Sequence, residues 1–354
     1  MGKFSLLPKE FYLYSSTIKI VEKEAKFWKS LNGKVQCLLC PHKCILKDGQ
    51  RGICGVRENR NGKLYTLIYA SCSSAYPDPI EKKPLFHFYP GSLVFSLGTV
   101  GCNFRCLHCQ NYSISQVKPE DYPLAEMMPD EAVERALRCC DGIALTYNEP
   151  TIWWEYAYDV FKIAKEKNLY TVFVTNGYIN EEPLEEIAKY LDAANIDTKS
   201  MSKEFYKEIC KARLEPVLQA CKLYKEKGVH IELTYLVIPR KNDGIEDIKK
   251  YCRWVLEELG EEQIVHFTAF YPHYKMLDLP PTPFKKLLEI YNIAKREGLH
   301  FVYLGNVPHG DYENTYCPNC GNLLIERHGF SAKIKGLDGE KCSKCGAKIP
   351  VVID

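Results

Sequence analysis

Three cysteines, Cys102, Cys106 and Cys109, are separated by three and then two residues in the segment Gly98-Thr99-Val100-Gly101-Cys102-Asn103-Phe104-Arg105-Cys106-Leu107-His108-Cys109-Gln110-Asn111. Thiolates are the usual ligands of a [4Fe–4S] cluster, which takes four. Three local thiolates leave one iron without a protein ligand. An open position lets a metal bind and activate a substrate rather than only brace structure. The glycines permit the tight backbone path that wraps a loop around a cluster. Taken alone, the triplet also admits a zinc ion that borrows His108 as its fourth ligand.

Two further cysteine groups stand apart from this one, in a chain with 17 cysteines. Disulfides are rare in a reducing cytosol. Cysteines two or three residues apart bridge each other poorly but converge well on one metal. Cys317-Pro318-Asn319-Cys320-Gly321 and Cys342-Ser343-Lys344-Cys345-Gly346 form two knuckles, the pattern of a closed tetrahedral zinc ribbon. A pair of redox dithiols is the weaker reading. Cys37, Cys40, Cys44 and Cys54 make another complete set of four, which zinc and an auxiliary iron–sulfur cluster fit equally. Reduced, buried cysteines are the bland alternative there. Cys72, Cys139, Cys140, Cys210, Cys221 and Cys252 read as small core residues, and Trp153-Trp154 as packing.

The elements that must position these groups follow a rhythm that begins at Leu93. Short β-rich runs at 93–97, 142–147, 170–175, 192–197, 229–238, 263–270 and 299–304 alternate with helical stretches at 129–140, 151–168, 181–190, 203–227, 245–259 and 283–297. Such alternation predicts βα units on a parallel sheet, an α/β fold forming a complete or partial (β/α) barrel. Working residues then belong at the C-terminal ends of the strands. Three regions are expected: an N-terminal extension with the four-cysteine segment (1–90), the barrel (91–306) and the zinc ribbon (307–354). Thr17 to Leu31 reads as a polar helix stopped by Asn32-Gly33.

A chain of 354 residues can bury a sizeable core. Apolar residues at 46% and charged residues at 26% are ordinary for a soluble enzyme. The net charge of +2 argues against bulk nucleic acid as the main partner, because such binding neutralises many phosphates. The opening lacks an apolar stretch long enough for a signal peptide, and nowhere do eighteen apolar residues run together. A cytoplasmic protein without membrane contact is expected.

The CxxxCxxC loop resembles that of the radical S-adenosylmethionine (SAM) superfamily. Gly98 to Cys102 and Cys109-Gln110-Asn111 look like the pyruvate formate-lyase activating type. A closer resemblance is to the radical enzyme of the AmmeMemoRadiSam system. It rests on Cys37-Leu38-Leu39-Cys40-Pro41-His42-Lys43-Cys44, Asp78-Pro79-Ile80-Glu81-Lys82-Lys83-Pro84-Leu85, Tyr89-Pro90-Gly91-Ser92, Thr234-Tyr235-Leu236-Val237-Ile238-Pro239 and Tyr271-Pro272-His273-Tyr274-Lys275-Met276.

The resemblance implies that Cys102, Cys106 and Cys109 hold the [4Fe–4S] cluster and that S-adenosylmethionine binds its open iron. Reductive cleavage would give methionine and a 5′-deoxyadenosyl radical that abstracts hydrogen from a substrate. Thr146-Tyr147-Asn148-Glu149-Pro150 is similar to the motif that holds the methionyl amino group, with Asn148 where a glycine is usual. Thr175-Asn176-Gly177 resembles the segment beside the ligand, with Val174 in place of an aspartate. Asp197-Thr198-Lys199 resembles the Asp-x-Lys motif near ligand and substrate. His108 takes a position near the adenine, Arg105 and Lys199 would meet anionic parts of the ligand, and His266 and His273 are both candidates for the family's histidine.

The implied partners are a low-potential electron donor such as ferredoxin and Memo-type and AMMECR-type proteins, and the implied substrate is a protein or peptide. The same chemistry on a small metabolite is one alternative. A non-catalytic zinc module that binds RNA or protein is another.

Overall fold

The computed structural model describes residues 21–307 and 310–353. Its centre is an eight-stranded sheet. Seven strands are parallel and neighbours in chain order: β1 (Leu93–Gly98), β2 (Gly142–Leu145), β3 (Tyr170–Thr175), β4 (Ala193–Asp197), β5 (His230–Val237), β6 (Ile264–Ala269) and β7 (Val302–Gly305). An antiparallel strand, Ser74–Pro79, adds to the free side of β1, so the sheet takes in residues ahead of Leu93. The sheet is open, with Ser74–Pro79 and β7 as its edges: the partial (β/α) barrel expected from the alternation.

Each connection between parallel strands carries a helix: α1 (Pro129–Leu137), α2 (Trp154–Glu166), α3 (Glu181–Ile187), α4 (Leu214–Glu226), α5 (Ile245–Leu259) and α6 (Phe284–Glu297). Parallel strands need such crossovers, and right-handed crossovers between strands in chain order set every helix on one face of the sheet, leaving the other as the interior of the partial barrel. Every residue of β2 and β6 is accordingly buried. No helix among the described residues is long and apolar enough to cross a membrane.

Two expectations fail for identifiable reasons. Of the helix expected over Thr17 to Leu31, residues 17–20 lie outside the described range, and the rest is extended, with strands at Lys23–Glu24 and Trp28–Leu31. Trp28–Leu31 pairs with Lys34–Cys37 through Asn32-Gly33, both at positive φ. Asn-Gly at positive φ is the two-residue hairpin turn, so the presumed helix stop is a strand reversal. The helix expected over 203–227 is broken. A short helix and a π turn end at Cys210, Lys211 adopts φ 58°, and α4 starts at Leu214. The amides of Arg105 and Leu107 take the carbonyls of Cys210 and Ile209 at 3.0 Å. Those carbonyls then cannot accept the next helical turn.

The N-terminal segment and the ribbon lie against the sheet. Arg57, only 1% exposed, donates to Glu155 on α2 and to the Lys26 carbonyl. Phe88 bridges Val352, and Val352 N donates to the His87 carbonyl at 2.8 Å. His87 is fully buried at this seam, with Nδ1 3.0 Å from the Pro350 carbonyl and Nε2 2.6 Å from Tyr303 Oη.

Burial pushes His87 down to about 3, so it is neutral in the folded protein. The unfolded chain takes a proton below about pH 6.5 that the folded seam refuses. The stability from neutral His87 is therefore complete above about pH 6.5 and is lost as pH falls toward about 3. Acidifying from about pH 6.5 to 5 should cost about 2 kcal/mol at this seam. Hydrogen exchange of the 86–89 and 351–353 peptides should accelerate accordingly in the wild type and much less in His87→Gln. Equal acceleration in both would rule out this role for His87.

Candidate functional site

The loop after β1 carries Cys102, Cys106 and Cys109, and all three line one cavity of about 510 Å³ at the C-terminal edge of the sheet. Strand register brings the other groups to the same edge. Leu145 of β2 sits between Leu97 of β1 and Phe173 of β3, Thr175 pairs with Ile196, Asp197 with Thr234, and Thr234 with His266. Glu149, Asn176, Lys199 and His266 therefore face the cysteine loop across the cavity.

The cysteine loop is pinned from several sides. Asn148 accepts from Thr99 N at 3.2 Å and donates to the Gly101 carbonyl at 3.0 Å, so the residue where the family usually has glycine clamps the loop. Gly101 stands at φ +87°, and a Cβ there would lie 2.6 Å from Val56 and 2.8 Å from the Cys54 carbonyl. No side chain fits that approach. His42 Nε2 meets the Asn103 carbonyl at 2.8 Å. Arg105 donates to the Cys102 and Phe104 carbonyls at 2.7 and 3.0 Å and to the Ile53 carbonyl. Arg105 does not line the cavity, so the expectation that it meets the ligand gives way to a stapling role.

Glu149, 1% exposed, is held by Thr151 N at 2.9 Å, Thr175 Oγ1 at 2.7 Å and Asn176 N at 2.8 Å. Burial raises its pKa, and these bonds oppose the rise. A carboxylate has about four lone-pair sites, so capacity for one cationic partner remains. Asn176 reaches Asn103 Oδ1 at 2.8 Å and Cys102 Sγ at 3.8 Å, tying the third strand end to the cluster loop. Lys199 Nζ lies 2.7 Å from Asp197 Oδ2. Burial disfavours its charge, but Asp197 and the Cys106 and Cys210 thiols outweigh that and hold it protonated.

The two histidine candidates separate. His266 lines the cavity, and its Nε2 donates to Glu232 Oε2 at 2.6 Å. His273 packs beside Tyr112, with ring centroids 5.5 Å apart, and lies outside the cavity wall. His108 is buried in the wall, with no hydrogen-bond partner for Nδ1.

Several residues in the wall or directly behind it escaped the sequence reading. Glu232, completely buried, accepts from the amides of Phe86 and His87 at 2.9 and 2.7 Å as well as from His266 and His230. Burial raises its pKa, and the histidine bonds more than reverse that, so it stays ionised. Lys83, buried beside Asp78 at 2.7 Å, also lines the cavity, and burial lowers it to about 8. Phe330, from the turn between strands Leu323–His328 and Ser331–Ile334 of the ribbon, completes the roof. Cys210, read as a core residue, abuts the Cys106 thiol.

The residues fit a cluster better than a single ion. A tetrahedral zinc with Zn–S bonds of about 2.3 Å sets its sulfurs about 3.8 Å apart. Among the described residues only Cys317, Cys320, Cys342 and Cys345 meet that spacing, with all four sulfurs within 4.8 Å. Cys317 and Cys345 are 3.6 Å apart, and Cys320 and Cys342 are 3.7 Å apart. That geometry fits a zinc ribbon. The sulfurs of Cys102, Cys106 and Cys109 are more widely set, as ligands to separate irons of one cluster must be.

Comparison with known proteins gives the same family. An uncharacterized protein of Methanocaldococcus jannaschii is 52% identical over 335 residues, covering 94% of this chain and all of that one. The pyruvate formate-lyase-activating enzyme of Clostridium pasteurianum is 26% identical over 174 residues, 46% of this chain and 70% of that protein. A domain of pyruvate-formate lyase-activating enzyme from Bacteroides vulgatus superposes with a TM-score of 0.41 at 17% identity, covering 47% of this chain and 99% of that one. The model of the radical SAM superfamily matches residues 96–255, which span the cysteine loop and the first five strand ends described above. Residues 96–255 of this chain form a domain of the radical SAM superfamily.

Proposed function

We propose that this protein reductively cleaves S-adenosylmethionine and abstracts hydrogen from a protein or peptide, in the manner of an activating enzyme. The observation that carries the reading is the convergence of Cys102, Cys106 and Cys109 on one cavity with Glu149, Asn176 and Lys199. When bound, a [4Fe–4S] cluster and S-adenosylmethionine supply the one-electron cleavage that yields a 5′-deoxyadenosyl radical.

The chain's own groups then have separable tasks. Cys102, Cys106 and Cys109 hold three irons. Glu149 takes the ligand's ammonium in a charge-assisted bond. Thr175 and Asn176 fix Glu149 in place, and Asp197 steadies Lys199 for an anionic group of ligand or substrate. His266, oriented by ionised Glu232, offers one polar contact on the substrate side. His108 packs at the ligand's flank. Phe330 and the Glu81–Pro84 loop exclude water from above.

The rim supports a macromolecular substrate. Tyr112, Tyr271 and Phe330 are large side chains exposed by 40%, 49% and 57%. Tyr112 follows the wall residue Asn111, and Tyr271 bonds the carbonyl of the wall residue Asn306. Exposed aromatic surface around a cavity suits docking of another chain. A low-potential donor such as ferredoxin and Memo-type and AMMECR-type partners belong to the same proposal.

Three experiments test it. In anaerobic protein with a strong reductant, the wild type should form 5′-deoxyadenosine, and Cys102→Ala, Cys106→Ala or Cys109→Ala should form none while keeping the ribbon zinc. A wild type that binds only zinc and leaves S-adenosylmethionine intact would instead favour the non-catalytic module. Glu149→Gln should weaken S-adenosylmethionine binding about 10- to 100-fold by calorimetry, the worth of a hydrogen bond to a charged group. An unchanged affinity would remove Glu149 from the ligand site. Cys342→Ser with Cys345→Ser should loosen the roof and speed bleaching of the central iron in air several-fold. Equal bleaching rates would contradict a shielding roof.

A further inference from the structure

We propose that Cys37, Cys40, Cys44 and Cys54 hold a second iron–sulfur cluster and not a zinc ion. The four side chains line one cavity, so their sulfurs share a centre. No three of them bring their sulfurs within 4.8 Å of one another, in contrast to the ribbon cysteines of the same molecule. A single zinc requires sulfurs about 3.8 Å apart. The N-terminal four thus share the wide setting of Cys102, Cys106 and Cys109 and depart from the tight setting of the ribbon.

The surroundings suit a cluster. Leu39, Leu46, Ile53 and Ile152 make the walls apolar, and Cys37, Cys40 and Cys54 are buried. Exclusion of water and hydrogen bonds to sulfur are the protein's means of tuning such a centre. Arg57, buried beside the cavity, reaches Cys37 Sγ at 3.7 Å. The His42, Ile53 and Val56 amides face the Cys40, Cys44 and Cys54 sulfurs. Gly52 lies against the group, since a Cβ there would lie 3.7 Å from both the Cys44 and the Cys54 sulfur.

Four thiolates leave no iron open, so this centre can store an electron but cannot bind S-adenosylmethionine. It sits beside the central loop: His42, two residues after Cys40, bonds the carbonyl of Asn103, the residue after Cys102. Both stretches of chain also pack into one apolar cluster, which contains Cys40, Phe104, Cys106 and Tyr178.

The test uses the full chain, reconstituted with iron and sulfide without oxygen. The triple variant Cys102→Ala, Cys106→Ala, Cys109→Ala should retain about four irons and four sulfides with a single zinc, as a cubane plus the ribbon require. Its reduced form should give an electron paramagnetic resonance signal that S-adenosylmethionine does not alter. A triple variant holding two zincs and no iron overturns the proposal. Should that variant fail to fold, Cys40→Ala with Cys44→Ala decides: loss of about four irons relative to wild type supports the cluster, and loss of one zinc with iron unchanged overturns it. The two readings fail separately. Iron kept in the triple variant, with no cleavage of S-adenosylmethionine by wild type, would sink the proposed function and leave this centre standing.

Discussion

A parallel sheet gives every strand the same direction, so seven C-terminal ends meet along one edge, and the chemistry of this chain depends on that alignment. The groups that face one another across the cavity come from Cys102 to His266, and no local structure could gather them. The register does so. Asp197, Thr234 and His266 are successive partners across three strands, so displacing one strand by a residue would turn its side chain to the opposite face. Six helical crossovers hold that register by covering the outer face of the sheet, while its inner face forms the interior of the partial barrel.

Charges buried along this edge are set by neighbours rather than by residue type. Glu149 lines the cavity and Glu232 lies behind the wall residue His266, and both are enclosed carboxylates. Glu232 is kept ionised by His230 and His266, whereas Glu149, which has backbone and hydroxyl donors only, is shifted the other way. Lys199 and Lys83 diverge similarly. Lys199 has Asp197 beside it, whereas buried Lys83 has Asp78 on one side and the like charge of Lys82 on the other. One edge of one sheet therefore offers an oriented imidazole, a fixed cation and a carboxylate that gains from a cationic ligand.

The legible part of the site was the part carried by short motifs at strand ends. Cys102 to Cys109, Glu149, Asn176 and Lys199 are each bound to a strand that the alternation reveals, so sequence and position agree. Glu232 bonds Phe86 and His87 across about 146 positions of chain, and Phe330 reaches the cavity from the ribbon. Contacts of that kind follow from topology and leave no local pattern. The choice between His266 and His273 was closed to sequence for the same reason, since only strand pairing turns His266 inward. Near the N-terminus, a polar stretch before Asn32-Gly33 reads as a helix with its stop, but Asn32-Gly33 and Asn61-Gly62 both take positive φ and close hairpins. The same dipeptide serves a helix end and a strand reversal, and turn chemistry alone does not separate them.

The two outer cysteine modules share a difficulty that explains their form. The N-terminal module is built of strands of two to four residues, and the ribbon of strands of two to six, too little surface to bury a core. Metal binding supplies folding free energy in such segments. Each module is also held by a buried arginine: Arg57 to Glu155 and the Lys26 carbonyl, Arg327 to the Phe86 and Glu313 carbonyls. Breaking one partner of a buried ion pair such as Arg57–Glu155 costs about 3–5 kcal/mol, because the other charge stays uncompensated. Because Gly101 and Asn103 touch the first module and Phe330 belongs to the second, the packing of both modules bears directly on the shape of the site within the barrel.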